Sequence, residues 1–493
     1  MSFDLDHYSR RAEAFVGDLD REYHLHFSGQ KRDFELEEVY ERHASLFDRD
    51  EVERLREGVD AADGGEGRRR AEYLLEFAVG GYLGRASAAE EAAVAEREAE
   101  IELEVGGEKI PYRTAPVVQA NEPDRERRAE IERRRLEALE QQLNPLHLTV
   151  LRRSHELVAD LGWPSYADAC AELSGIDLRG LAEQTAEFLA ATEGVYPPVV
   201  SSQVEAVLGF GLEEARRSDL VRFFRAPGLD AGFPDERLVP AFAETVAAMG
   251  LALEDQPNIR LDTEQRPTKS PRAYCAPVRV PDEVYLVVPR VGGREDFAAL
   301  FHEGGHAQHY ANVDPALPAE YRYFGDNSVT ESFAFLLEHI TTDPAWLSDR
   351  LGADPEPVVS LDRAVLLFFL RRYAAKIGYE LELHGADPDL DAMPAEYARR
   401  MGGATGIGWD SASWLADVDS GFYVAGYLRA WALETRWRRH LRKSFGEGWH
   451  GSPEAGDWLR GVWRQGQRLR ADELLTETLG EELRFDALAA EFV

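Results

Sequence analysis

The chain has 493 residues, 44% of them hydrophobic, 30% charged and 10% aromatic. That exceeds what one core holds, since cores stop growing near ~250–300 residues, and two lobes are expected. Its 56 basic and 91 acidic residues leave a net charge of −35, which repels nucleic acid and anionic membrane surfaces, and the composition excludes collagen-like, disulfide-scaffold and wholly disordered chains.

The N-terminal stretch from Met1 through Asp4, Asp6 and Arg10 carries no apolar run of the kind a signal peptide needs. Apolar residues then recur at three- and four-residue spacing through residues 4–16, 67–83, 124–142, 146–161 and 177–193, which predicts helices. Between the second and third of these, Ile101, Leu103 and Val105 alternate, followed by Gly106-Gly107 and then Ile110 and Tyr112; this predicts a small hairpin. Glu126 to Gln142 is dense in Arg and Glu, the pattern of a solvated helix face. Pro197-Pro198 interrupts the helices and suggests a lobe boundary, giving an N-terminal helical lobe over 1–200 and a second lobe over 201–493.

Prolines at 267, 271, 277, 281 and 289 exclude long helices from residues 258–290. Val284 to Val288 reads there as a short strand whose main chain could border a site. Gly402, Gly403, Gly406 and Gly408 lack the Lys-Ser/Thr of a phosphate loop and read as a loop or connector. Apolar runs such as Ala364 to Leu370 are far shorter than the ~18–20 residues of a membrane span. With Cys170 and Cys275 as the two cysteines, a cytoplasmic location is expected. The fold class expected is mainly α, with two helical lobes around a deep cleft.

The segment Phe301-His302-Glu303-Gly304-Gly305-His306 is an H-E-x-x-H inside an amphipathic stretch, Arg294 to Ala311, that opens after Gly292-Gly293. Residues four apart on a helix differ by ~40° in direction, so His302 and His306 share one face and can share one tetrahedral Zn²⁺. Glu303 is rotated ~100° from His302, off the metal but within reach of a water beside it. Chance produces the pattern roughly 0.04 times in a chain like this. Two glycines inside a helix cost about 1 kcal/mol each against Ala, so the backbone at Gly304-Gly305 is expected close to a neighbour or a substrate. A second helical pattern, Phe324 to Ile340, carries Glu331, 25 residues past His306, and Glu338 seven further on. Glu331 would complete a His₂Glu set with an open fourth position, the mark of catalytic zinc. Glu338 reads as a surface acid or a partner behind a ligand. His309 reads as a packed histidine rather than a fourth ligand.

These residues resemble the thimet oligopeptidase and oligoendopeptidase F family of zinc metallopeptidases, which belong to the gluzincins. The resemblance covers H-E-x-G-H, the two downstream acids, the order of strand, Gly292-Gly293 and helix, the Asn121 to Arg128 segment, and Gly421-Phe422-Tyr423-Val424-Ala425-Gly426-Tyr427. It implies Zn²⁺ ligands at His302, His306 and Glu331, catalytic Glu303, Tyr423 and Tyr427 as oxyanion donors, a small sheet beside the zinc helix, and a cleft that admits short peptides. The chain departs from the family pattern at Val418, at Ala430 and over Ser332 to Phe335. The activity implied is hydrolysis of short peptides, with zinc activating the attacking water and Glu303 as general base. The alternatives are a metallocarboxypeptidase of the carboxypeptidase Taq type and a catalytically silent helical peptide-binding protein.

Overall fold

The computed structural model describes residues 4–289 and 292–493; Met1, where the N-terminal reading begins, lies outside them. Helices form where the spacing predicts them: α1 (Leu5–Phe27), then Gly65–Ala86, Arg125–Ala138, Asn144–Asp160 and Leu178–Thr192. α1 extends well beyond the residues its N-terminal periodicity marks. Its first turn is fixed by Asp4, whose carboxylate accepts a hydrogen bond from the His7 amide at 2.9 Å.

The chain divides into two compact units. One comprises Met1–Tyr82, Leu229–Val359 and Arg429–Leu488; the other comprises Leu83–Gly228, Ser360–Leu428 and Ala489–Val493. This differs from a single boundary near residue 200. Pro197 and Pro198 open the helix Tyr196–Leu208 instead of separating lobes, because proline in a first helical turn forfeits no hydrogen bond. Three of the true crossings fall inside the helices Gly65–Ala86, Pro355–Leu383 and Tyr423–Phe445.

In the second unit, the predicted hairpin is β1 (Glu102–Val105) paired antiparallel with β2 (Glu108–Pro111). It buries Leu103, Val105 and Ile110 against Ile131 and Leu139. The Arg- and Glu-rich helix beside it is not solvated all round. Arg128 is buried with its guanidinium 2.7 Å from Asp219, and Glu132 is buried within reach of Gln119. Gly402 and Gly403 belong to the helix Met393–Thr405, and Gly406 is its left-handed cap at φ 68°.

In the first unit, the sheet is built from β3 (Ile259–Asp262), β4 (Tyr274–Arg279) and β5 (Glu283–Val287), in the order β3-β5-β4. β5 runs parallel to β3 and antiparallel to β4. The expectation that residues 284–288 offer free main chain to a site is therefore corrected: that strand is central, paired on both sides, and β3 and β4 are the edges. Val284, Leu286 and Val288 enter one apolar core with Phe242 of α2 (Asp235–Ala248), Phe297, Leu300 and Phe301 of α3 (Arg294–Ala311), and Val329, Phe333, Leu336, Leu337 and Ile340 of α4 (Asn327–Ile340). Among the described residues no helix is long and apolar enough to cross a membrane.

Candidate metal centre

α3 begins directly after Gly292 and Gly293, at φ 86° and 90°. A β-carbon on Gly292 would stand 2.9 Å from the Asp235 amide nitrogen, so only glycine passes there. Glu295 and Asp296 occupy the first turn, where acids complement the helix dipole, and Asp296 accepts from the Gly292 amide at 2.9 Å.

The glycine pair inside the helix is explained by close packing. A β-carbon on Gly305 would lie 2.5 Å from the Phe333 carbonyl oxygen and 2.6 Å from the Ala334 Cα, so the backbones of α3 and α4 touch at this point. A β-carbon on Gly304 would strike the Phe242 ring at 2.3 Å. Of the two neighbours the sequence allowed, a substrate or a packed element, the packed element stands here.

α4 is fixed at its start by Asp326. That buried carboxylate accepts from the Ser328 amide at 2.9 Å, the Ala471 amide at 2.9 Å and the Arg429 guanidinium at 2.7 Å. Burial opposes its charge, yet Arg429 and these donors hold its pKa below the usual carboxylate value. One turn further on, Glu331 faces α3. Its Oε2 lies 3.4 Å from His302 Nε2 and 3.6 Å from His306 Nε2. Ligand atoms of His302, His306 and Glu331 all fall within 4.8 Å of one another.

The other nitrogen of each ring is also engaged. His302 Nδ1 is 2.8 Å from Glu338 Oε2, and His306 Nδ1 is 2.8 Å from Thr330 Oγ1. With Nδ1–H donated to these acceptors, the Nε2 atoms of both rings face the same space, and loss of the Nε2 protons leaves the tautomer a metal-binding imidazole needs. Glu338 thus stands behind a ring rather than idle on the surface. Nothing in the chain's periodicity marks Thr330 for this place. Burial disfavours a charged His302, but the Glu331 and Glu338 carboxylates outweigh it and lift its pKa to about 10. Burial likewise opposes the Glu331 carboxylate, and the two imidazoles hold it well below the ordinary range. Two nitrogens and one oxygen, close together on rigid helices, could hold a divalent ion of the zinc type.

Glu303 sits beside this trio. Its Oε2 accepts from the Cys275 amide of edge strand β4 at 2.9 Å. That amide is the second group unmarked in the sequence. His309 is fully buried against the Phe333 and Tyr310 rings, and burial lowers its pKa to about 3; it lies outside the trio. Tyr423 and Tyr427 belong to the other unit. Within it their rings are 4.8 Å apart, edge to face, with Tyr423 40% exposed and Tyr427 6.0 Å from Tyr373.

No protein-family profile and no curated protein sequence matches the chain. Solved structures do. The chain is similar to the M32 carboxypeptidase of Deinococcus radiodurans R1, with 15% identity, a TM-score of 0.64, and 99% of this chain and 96% of that one covered. It is similar to a Pyrococcus furiosus carboxypeptidase at 15% identity and TM-score 0.62, covering 100% and 99%. A Bacillus anthracis protein (strain Ames) named as an oligoendopeptidase F aligns at 14% identity and TM-score 0.66, covering 98% and 88%. The fold is therefore the mainly α fold these proteins share.

Proposed function

We propose that the protein is a zinc-dependent peptidase acting on short peptides, with His302, His306 and Glu331 as metal ligands and Glu303 as general base. The observation that carries this is the convergence of two imidazole Nε2 atoms and a buried carboxylate, with Glu303 one residue from the first ring. The fold of metallopeptidases supports it. A bound ion would supply Lewis acidity toward the scissile carbonyl and toward a water molecule.

The remaining chemistry belongs to the chain. Glu303 takes a proton from the attacking water as the new C–O bond forms, then returns it to the departing amine as the C–N bond breaks. The Cys275 amide holds the Glu303 carboxylate in place at the sheet edge. Glu338 and Thr330 hold the two rings in register with Glu331. Tyr423 and Tyr427 are proposed as donors to the oxyanion.

A carboxypeptidase reading has support of its own, since two of the three structures above are of carboxypeptidases. Mass spectrometry of digests of C-terminally amidated peptides separates the two. Internal cleavage of amidated peptides is expected, and it is expected to vanish in Glu303→Gln with zinc still bound. Cleavage confined to free C-termini selects the carboxypeptidase. Peptide binding without turnover by the parent protein selects a silent binding protein.

A further inference from the structure

α1 lies along β4 with a fixed register. A β-carbon on Gly17 would stand 3.2 Å from the Val278 carbonyl oxygen, and seven residues on, the Tyr274 hydroxyl donates to the His24 carbonyl at 3.2 Å. Seven helical residues rise ~10.5 Å, close to the ~13 Å spanned by four strand residues. The helix therefore follows the strand from Val278 back to Tyr274. Asp20, three residues after Gly17 and four before His24, is on the same helical face and lies between these contacts, alongside Cys275 and Ala276. Cys275 is the residue whose amide reaches Glu303.

Asp20 is half-buried, and among the described residues its carboxylate has no hydrogen-bond or ion-pair partner. Arg21, the next residue of α1, is engaged elsewhere, pairing with Glu283 at 3.0 Å. Burial lifts the Asp20 pKa to about 7. Its charge also reaches the sheet edge: burial, Glu303 and Asp20 together raise the Cys275 thiol well above its usual value. An acid in this setting, beside a catalytic edge and lacking a counter-ion, is the arrangement of a recognition carboxylate.

We propose that Asp20 is a specificity-determining residue that takes a cationic group of the substrate peptide, an ammonium or guanidinium. The cation comes from a lysine or arginine side chain or from the peptide's N-terminus. This rests on the peptidase reading, and the test separates the two. Peptides of otherwise uncharged residues carrying lysine, norleucine or glutamate at each position in turn, with free or acetylated N-termini, are titrated by calorimetry into zinc-loaded Glu303→Gln protein, and their kcat/KM is measured with the parent enzyme.

One cationic position is expected to improve affinity and kcat/KM about ten-fold or more. Lysine against norleucine assigns the side chain as the source, and free against acetylated assigns the N-terminus. Asp20→Asn is expected to bring that ratio toward one, whereas Asp18→Asn, at a neighbouring acid paired with Arg42 and His43, keeps it. Asp20→Lys is expected to invert it in favour of glutamate. Equal affinities for all peptides overturn the assignment, as does a ratio that Asp18→Asn reduces equally. Preferential binding without turnover by the parent enzyme overturns the peptidase reading and leaves the Asp20 subsite standing. No binding of any peptide overturns both.

Discussion

Gly305→Ala tests the helix contact on which the centre depends. The added methyl group would meet the Phe333 oxygen at 2.5 Å and the Ala334 Cα at 2.6 Å, about 1 Å inside ordinary carbon contact distances. Both obstacles are backbone, so α3 and α4 must part. Overpacking of this kind costs up to ~3 kcal/mol, and replacing a helical glycine by alanine returns ~1 kcal/mol, so a net loss of about 2 kcal/mol is expected in chemical denaturation of the metal-free protein. Parting the helices by ~1 Å also separates Glu331 from the two imidazoles, far beyond the ~0.2 Å tolerance of a metal site, and zinc affinity should fall by at least ~100-fold in competition titrations. Gly304→Ala is the internal comparison. Its methyl group meets the far end of the Phe242 side chain instead of the α4 backbone, so the clash falls on α2 and not on the α3–α4 spacing, and metal affinity should suffer much less. Wild-type stability and zinc affinity in Gly305→Ala, or equal damage in both variants, would mean that the α3–α4 backbone contact does not set the spacing of the ligands.

Glu338→Gln removes the carboxylate behind His302 and should weaken zinc binding ~10–100-fold, read by chelator competition; unchanged affinity contradicts the role given to that contact. Tyr423→Phe and Tyr427→Phe should lower kcat, the principal donor by ~100-fold or more, with KM little changed; two unaffected variants remove both phenols from the mechanism. Glu283 is held at about pKa 2, against 4.5 for a free glutamate, chiefly by the Arg21 hydrogen bond and against burial, with Tyr285 and Arg260 assisting. Because its folded pKa is depressed, the stabilisation is complete above about pH 4.5 and is lost as pH falls toward about 2. Both arginines are half-exposed, which discounts it to about 1–2 kcal/mol. Denaturation at about pH 6 and about pH 3 should show a smaller acid loss in Glu283→Gln than in the parent, and identical losses would count against the pairing.

The sequence disclosed what depends on local periodicity. His302, His306, Glu331 and Glu338 were legible because helix geometry sets which residues share a face, and α3 and α4 each carry a regular apolar stripe. The β1–β2 hairpin was legible from its alternation and glycine pair. Thr330, the Cys275 amide and Asp20 were not, since each acquires its place from an element distant in the chain. β5 was recognised as a strand, but whether it was central or at the edge depends on β3, a four-residue strand in a proline-rich region with little pattern of its own. The division into units was hidden because crossings fall within helices whose periodicity continues unbroken. Arg128 and Glu132 looked solvated because a buried ion pair and a surface one read alike without the partner, here Asp219 for the arginine.

The proposed peptidase depends on His302, His306 and Glu331 together holding a catalytic divalent ion. Metal analysis with X-ray absorption of the purified protein tests it directly, alongside His302→Ala and Glu331→Ala. One zinc-type ion per chain is expected, bound by two imidazole nitrogens and a carboxylate oxygen and lost from both variants. A parent protein that takes up no divalent ion, or variants that retain it with the same ligands, would contradict the account.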